Sequence, residues 1–357
     1  MAKLVLFVLL FSAGFVQAKS LRLELFAQSS LAQKLKFDGE NVGGLSGLFW
    51  DGSKLLAVSD DRGKGGKPRF YEMDLKITAG KVDFNVTKVI HFSGIPKEWV
   101  LDLEGIVLLP NGELVTSTEG DNNKKPRAMP RLIVTNTAGV FKTEIPFPDK
   151  FLPETTGLQK KGIENNRGFE GLTMNPNGQN LYAMNEYPII ADQADDDKSY
   201  WLRLVEFKKD KDHFKAGAEY PYLYSRQPNT SSGPEVFRGV SEILFVSDNK
   251  FIVLERGVRL TKSGMSYTGG LYLADSTGIK DVSSVKQLAD GKSTAMKKEK
   301  LVDFEEVLKN QKPENFEALT WGPALPDGRK SLLVLSDNNF SAKEKTTLLV
   351  FAVKEVE

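Results

Sequence analysis

Apolar runs too short for helices, each broken by a turn signal, recur along the chain. From Gly105 to Glu119, "GIVLLPNGELVTSTE" reads as two strands joined at Asn111-Gly112. Asn-Gly or Asp-Gly between apolar runs is the strongest local signal for a hairpin, and Asp-Asn takes that place in one copy, at Asp248-Asn249. The same pattern stands in "GLSGLFWDGSKLLAVSDD" (Gly44–Asp61), "GFEGLTMNPNGQNLYAMNE" (Gly168–Glu186), "GVSEILFVSDNKFIVLERG" (Gly239–Gly257) and "NFEALTWGPALPDGRKSLLVLSDNN" (Asn315–Asn339). The copies lie about 60–75 residues apart and the stretches between them are strand-rich, which suggests propeller blades of four strands.

The intervening runs supply the outer strands. "RFYEMDLKI" and "VDFNVTKVIHF" follow the first hairpin, "RLIVTNT" and "FKTEIPF" the second, "YWLRLVEFKK" and "AEYPYLYS" the third. "GGLYLAD" and an indistinct strand between Val285 and Val302 follow the fourth. After the fifth only "TTLLVFAVKEV" remains, and "LRLELFAQ" from Leu21 can fill the gap. The expected fold is therefore an all-β propeller of five four-stranded blades, with N- and C-terminal strands pairing in the last blade to remove an exposed edge. A six-bladed ring with one degenerate blade is the alternative. "DFEEVLKN" from Asp303 reads as a short helix before the fifth blade.

The copies share a polar pattern. Just before each inner strand stands Ser46, Glu104, Glu170, Ser241 or Glu317. Each second strand closes on an acid: Asp60, Glu119, Glu186, Glu255 or Asp337. The start of one strand of a hairpin and the end of the other lie at the same end of the barrel. The first set should thus ring the axis, and the second should surround the same mouth. Glutamates that converge in a narrow channel shift their pKa values up or bind a cation. Carboxylate and hydroxyl oxygens suit Ca²⁺, which accepts six to eight of them. The alternatives are neutral acids, pairing with Arg167 or Arg238 at the strand entrances, or plain capping of strand ends at the solvent.

Composition narrows the chemistry. The 357-residue chain has no Cys and two His, His91 and His213, neither with metal-ligand spacing. Disulfides, zinc sites and His-based triads are disfavoured. A net charge of +1 with 27% charged residues speaks against a nucleic-acid polymer as partner. The opening "MAKLVLFVLLFSAGFVQA" has the form of a secretory signal cut after Ala18, too short to span a bilayer. The expectation is a secreted or periplasmic monomer with a single domain over 19–357.

The mouth loops are basic beyond their leading acid, with Arg62, Lys64, Lys67, Arg69, Arg131 and Arg256 among them, whereas the third carries Asp192 and Asp195 to Asp197. Calcium at the base of such a cup would trap an anionic small molecule, phosphate above all. Asp60, Asp61 or Glu119 could orient or deprotonate an attacking water. Arg62, Arg131 and Arg256 could hold the phosphate, with Glu186 and Asp337 completing the substrate-facing set.

"GGLSGLFWDGSKLLAVSDDRG", "DLEGIVLLPNGELVTSTEG", "RGFEGLTMNPNGQNLYAMNE" and the fifth hairpin resemble the phytase-like domain family, "esterase-like activity of phytase", over nearly the whole chain after Ala18. The order Ser, Glu, Glu, Ser, Glu also resembles the axial calcium ring of five-bladed calcium-activated apyrases, as does Asp60-Asp61-Arg62. That resemblance implies calcium at Ser46, Glu104, Glu170, Ser241 and Glu317, with substrate phosphate near Asp60, Asp61 and Arg62. The leading expectation is a calcium-dependent hydrolase of phosphate esters or anhydrides. A carboxylic-ester hydrolase or lactonase, and a non-catalytic calcium-stabilised binding propeller, are the competing readings.

Overall fold

The computed structural model describes residues 20–63, 66–194, 199–225, 233–262, 264–309 and 311–356. The expected signal segment, Lys64 and Asp195 to Asp197 lie outside the described residues. Five four-stranded antiparallel sheets form five blades. Their inner strands are Leu45–Trp50, Leu103–Leu108, Phe169–Met174, Glu235–Ser247 and Asn315–Trp321. These strands touch in ring order, the fifth against the first. The indistinct outer strand of blade 4 is Lys297–Asp303, and the expected helix is the single turn Phe304–Val307.

The second strands run apolar on consecutive residues because both faces are buried. In blade 1, Leu55 and Ala57 pack toward blade 5, among Leu333 and Leu335. Leu56 and Val58 pack toward blade 2, against Ile106 and Leu114. Similar layers fill the gaps between blades 2 and 3, 3 and 4, and 4 and 5. The hairpin turns need left-handed backbone, which Gly112 (φ 80°) provides in blade 2 and Asn249 (φ 65°) in blade 4.

Blade 5 is completed by the strand Ser20–Ser30, which pairs with Thr347–Val356 from Ser20 opposite Val356 to Ser30 opposite Thr347. This closes the ring with the first and last strands of the described chain, as the strand count in the sequence requires. No helix among the described residues is long and apolar enough to cross a membrane.

Candidate active site at the propeller mouth

Every inner strand slips register at the ring position, and the longer one of blade 4 also slips between Glu235 and Phe237 and between Phe245 and Ser247. Pairing jumps from Leu45 to Gly47, Leu103 to Ile106, Phe169 to Gly171, Val240 to Glu242 and Phe316 to Ala318. The bypassed positions contain Ser46, Glu104, Glu170, Ser241 and Glu317, the ring read from the sequence. A bulge takes its extra residue out of the ladder and re-aims the side chain. All five are buried. Glu104, Glu170 and Glu317 line a cavity of about 550 Å³ at the mouth.

Small residues follow the ring and let the inner strands close on one another. A Cβ on Gly47 would stand 2.1 Å from the Glu104 carbonyl oxygen, and one on Gly105 2.4 Å from Leu172 Cβ. Blade 4 has Glu242 at this place. Its Oε1 accepts the N–H groups of Leu172 (2.8 Å) and Ile243 (2.9 Å), and burial pushes its carboxyl well above the usual range.

The closing residues correct the sequence reading in one blade. Asp60, Glu119 and Glu186 donate their backbone N–H groups to the carbonyls of Gly44, Asp102 and Gly168. The equivalent facing pairs are Gly239 with Arg256 in blade 4 and Asn315 with Asp337 in blade 5. The closing residue of blade 4 is therefore Arg256 and not Glu255. A shift of one residue along a strand turns a side chain to the other face. Glu255 accordingly points between blades, where it bonds Lys298 and the Tyr222 hydroxyl.

Arg256 also changes the electrostatics of the ring. Its guanidinium bonds Glu317 and Asn315, reaches Glu186 at 2.5 Å and stands 4.0 Å from Glu170. Ser46 Oγ donates to the other Glu317 oxygen at 3.3 Å. Glu317 is thus satisfied by protein groups. The expected pairing of ring acids with arginine does occur, but through Arg256. Arg167 lies on Glu164 and the Tyr187 ring, and Arg238 on the Tyr200 ring.

The acids of blades 2 and 3 have less compensation. Oxygens of Asp102, Glu104 and Glu119 lie within 4.8 Å of one another, as do those of Glu119, Glu170 and Glu186. Glu119 belongs to both groups and also accepts the Gly168 N–H. Arg62 bonds Asp102 Oδ2 at 2.6 Å. Burial, then the charge of Glu170, pushes Glu104 well above the carboxylate range. Burial followed by neighbouring acids does the same to Glu119 and Glu170. Burial raises Asp102 to about 7 despite Arg62, and raises Asp337 to about 7 with help from Asp60. The donor set suits a hard, oxygen-preferring cation. Asp102 Oδ1 and Ser241 Oγ are buried without a hydrogen-bond partner, as groups awaiting a ligand would be.

The remaining candidates divide clearly. Asp60, Asp61 and Arg62 line the cavity. Asp61 is bound to Arg69 at 2.9 Å. Asp337 accepts the N–H groups of Leu45 and Asn339, both at 3.0 Å, so it ties blade 5 to blade 1. Arg131 is not brought into the mouth: its guanidinium stacks 3.7 Å from the Trp99 ring centre and pairs with Glu144 on the outer strand of blade 2. Asp192, expected at the acidic loop, is buried in a bidentate pair with Arg203. The sequence reading missed Asp102, Asn315 and the ring role of Arg256. All stand out once the residue two before each ring position, and its partner across the hairpin, are compared among the copies.

No curated protein matches the sequence. Among solved structures, the chain is similar to an endo-arabinase from Bacteroides thetaiotaomicron, at 12% identity over 88% of this chain and 95% of that one, TM-score 0.45. It is also similar to a putative glycoside hydrolase from Parabacteroides distasonis, at 9% identity over 87% of each chain, TM-score 0.43. The family model described as "Phytase-like: Esterase-like activity of phytase" matches residues 40–340, and with the ring, bulges and blades in place the chain belongs to that phytase-like family.

Proposed function

We propose that the protein is a calcium-dependent hydrolase of phosphate esters or anhydrides, with substrate held at the propeller mouth. The observation that carries this reading is the pair of acidic groups sharing Glu119, buried beside Arg62 at the floor of an open cavity. Asp102, Glu104, Glu119, Glu170 and Glu186 would hold calcium, with Ser46, Ser241 and Glu317 completing the ring around them. When bound, the ion would polarise a phosphoryl oxygen or a water and offset developing negative charge.

The chain's own groups divide the remaining work. Arg62 faces the cavity and would bind substrate phosphate while its charge is shared with Asp102. Arg256, held by Glu186 and Glu317, also lines the cavity and is a second anchor. Asp60 faces the cavity, and burial raises its carboxyl, which makes it a stronger base toward an attacking water than a solvated carboxylate. Asp61 acts by fixing Arg69. With no Cys or mouth His, direct attack by water is favoured over a covalent intermediate. The substrate would be an anionic small molecule and the protein an exported monomer, with the leader removed after Ala18.

The family description favours one second reading, hydrolysis of carboxylic esters at the same site. Metal analysis followed by a calcium-dependent release screen separates the two. The proposal expects phosphate from nucleotides, phytate or simple phosphate esters. Release of acid only from esters and lactones would replace it. Calcium binding without turnover of any class would make the propeller a binding protein.

A further inference from the structure

We infer that Phe340 is a stacking platform that selects a ring-bearing substrate at the mouth, so that the molecule bound there joins an anionic group to a planar ring. The inference rests on the proposed site and deepens it. The cavity wall is otherwise made of charged and amide side chains, and Phe340 is the one apolar side chain among the described residues that line it. It is 40% exposed, an unusual position for an aromatic side chain facing a charged cup.

The backbone holds Phe340 there against its own preference. Asn339 and Phe340 both have left-handed backbone, with φ of 47° and 52°. For a bulky residue such a conformation is strained, and it persists only where surrounding contacts impose it. Those contacts are present. The Phe340 N–H donates to Asn338 Oδ1 at 3.0 Å, and the Asn339 N–H to Asp337 Oδ2 at 3.0 Å. The ring lies against the backbone of Gly43 and Gly44, where an added Cβ would come within 2.9 Å and 2.6 Å of ring atoms. The turn therefore starts from an acid of the mouth and ends in an aromatic ring backed by glycine.

The ring rests on peptide backbone, has the Arg69 guanidinium 6.0 Å from its centre and is 40% exposed at the cavity. A ring so placed can stack a planar partner, and each such pair contributes favourably beyond simple burial. Arg62 on the neighbouring blade lines the same pocket and supplies a cation for the anionic end of the ligand. The geometry thus favours phosphates or carboxylates carrying an aromatic or heterocyclic ring over purely polyanionic ligands.

Phe340→Gly is the informative variant, because glycine relieves the left-handed strain while removing the ring. Binding is measured by calorimetry in calcium buffer with matched probes: phenyl phosphate against methyl phosphate, and benzoate against acetate. In the unaltered protein the ring-bearing member of a pair binds about tenfold tighter, as expected for a single aromatic stack. Phe340→Gly reduces that ratio to about one without weakening the ringless probe, and Phe340→Trp retains it. A ring preference in the carboxylate pair alone upholds the platform and counts against the phosphate reading. A ratio unchanged in Phe340→Gly, a loss of both probes together, or no binding of either ring-bearing probe overturns the inference.

Discussion

Arg256 occupies the place that the other four blades give to a carboxylate, and it lies among three acids, Glu186, Glu317 and Glu170. Removing one partner from such a group leaves charge without compensation, at a cost of about 3–5 kcal/mol. Arg256→Gln should therefore lower the melting temperature of the metal-free protein by several degrees at pH 8. Calcium should restore more of the stability of the variant than it adds to the unaltered protein, since Glu317 becomes available as a further ligand and Glu186 loses a competing cation. Differential scanning calorimetry with and without calcium checks both. The acids set the pH dependence. Asp102 is raised to about 7, whereas an unfolded Asp titrates near 3.9. Between these values the unfolded chain releases a proton that the folded chain keeps, so stability falls as pH rises through that window, by about 1.4 kcal/mol per unit of difference. Metal-free protein should melt higher at pH 5 than at pH 8, and Asp102→Asn should flatten the slope while weakening calcium binding at least about tenfold. At this scale the sequence showed the ring clearly, because only Ser and Glu occur there. It hid Asp102, because three of the five copies hold glycine at that position and glycine reads as spacing.

The inner strand works as a unit of bulge, ring residue and small residue. The bulge frees the side chain, and the small residue lets the next blade approach. Gly105→Ala brings a Cβ to 2.4 Å from Leu172 Cβ, with Glu170 O at 3.1 Å on the same side. Overpacking of this kind costs about 1–3 kcal/mol. Chemical denaturation should show that loss, with calcium affinity falling as Glu104 and Glu170 are pushed apart. Strand identity and turns were legible here, since Asn-Gly and Asp-Gly mark the hairpins. Side-chain direction was less so. A bulge shifts the parity of every residue beyond it, and "LERG" offers both Glu255 and Arg256 for one position. Only the observed register, with Gly239 opposite Arg256, decides between them.

The ring as a whole is held by five apolar layers between blades and by one seam, where Ser20–Ser30 joins Thr347–Val356. Removal of residues through Ser30 would strip the outermost strand from blade 5 and bare the paired edge. The truncated chain should be aggregation-prone, with its melting temperature down by more than about 10 °C, as light scattering and calorimetry would show. Closure was legible because the strand count fell one short at the C-terminal end and one strand was spare at the N-terminal end. The balanced charge of the chain gave no hint of how unevenly the mouth is charged, since opposite charges elsewhere conceal it.

The central claim is that the acids of blades 2 and 3 hold calcium. The most direct measurement compares calcium-dependent melting of the chain from Lys19 with that of a Glu104→Gln, Glu170→Gln double variant at pH 7.5. Ligand at 100 times its dissociation constant adds about 2.7 kcal/mol, so the unaltered protein should gain about 5 °C. The double variant should gain less than about 1 °C while remaining folded. An equal gain in both proteins, or no gain in the unaltered one, would contradict the claim.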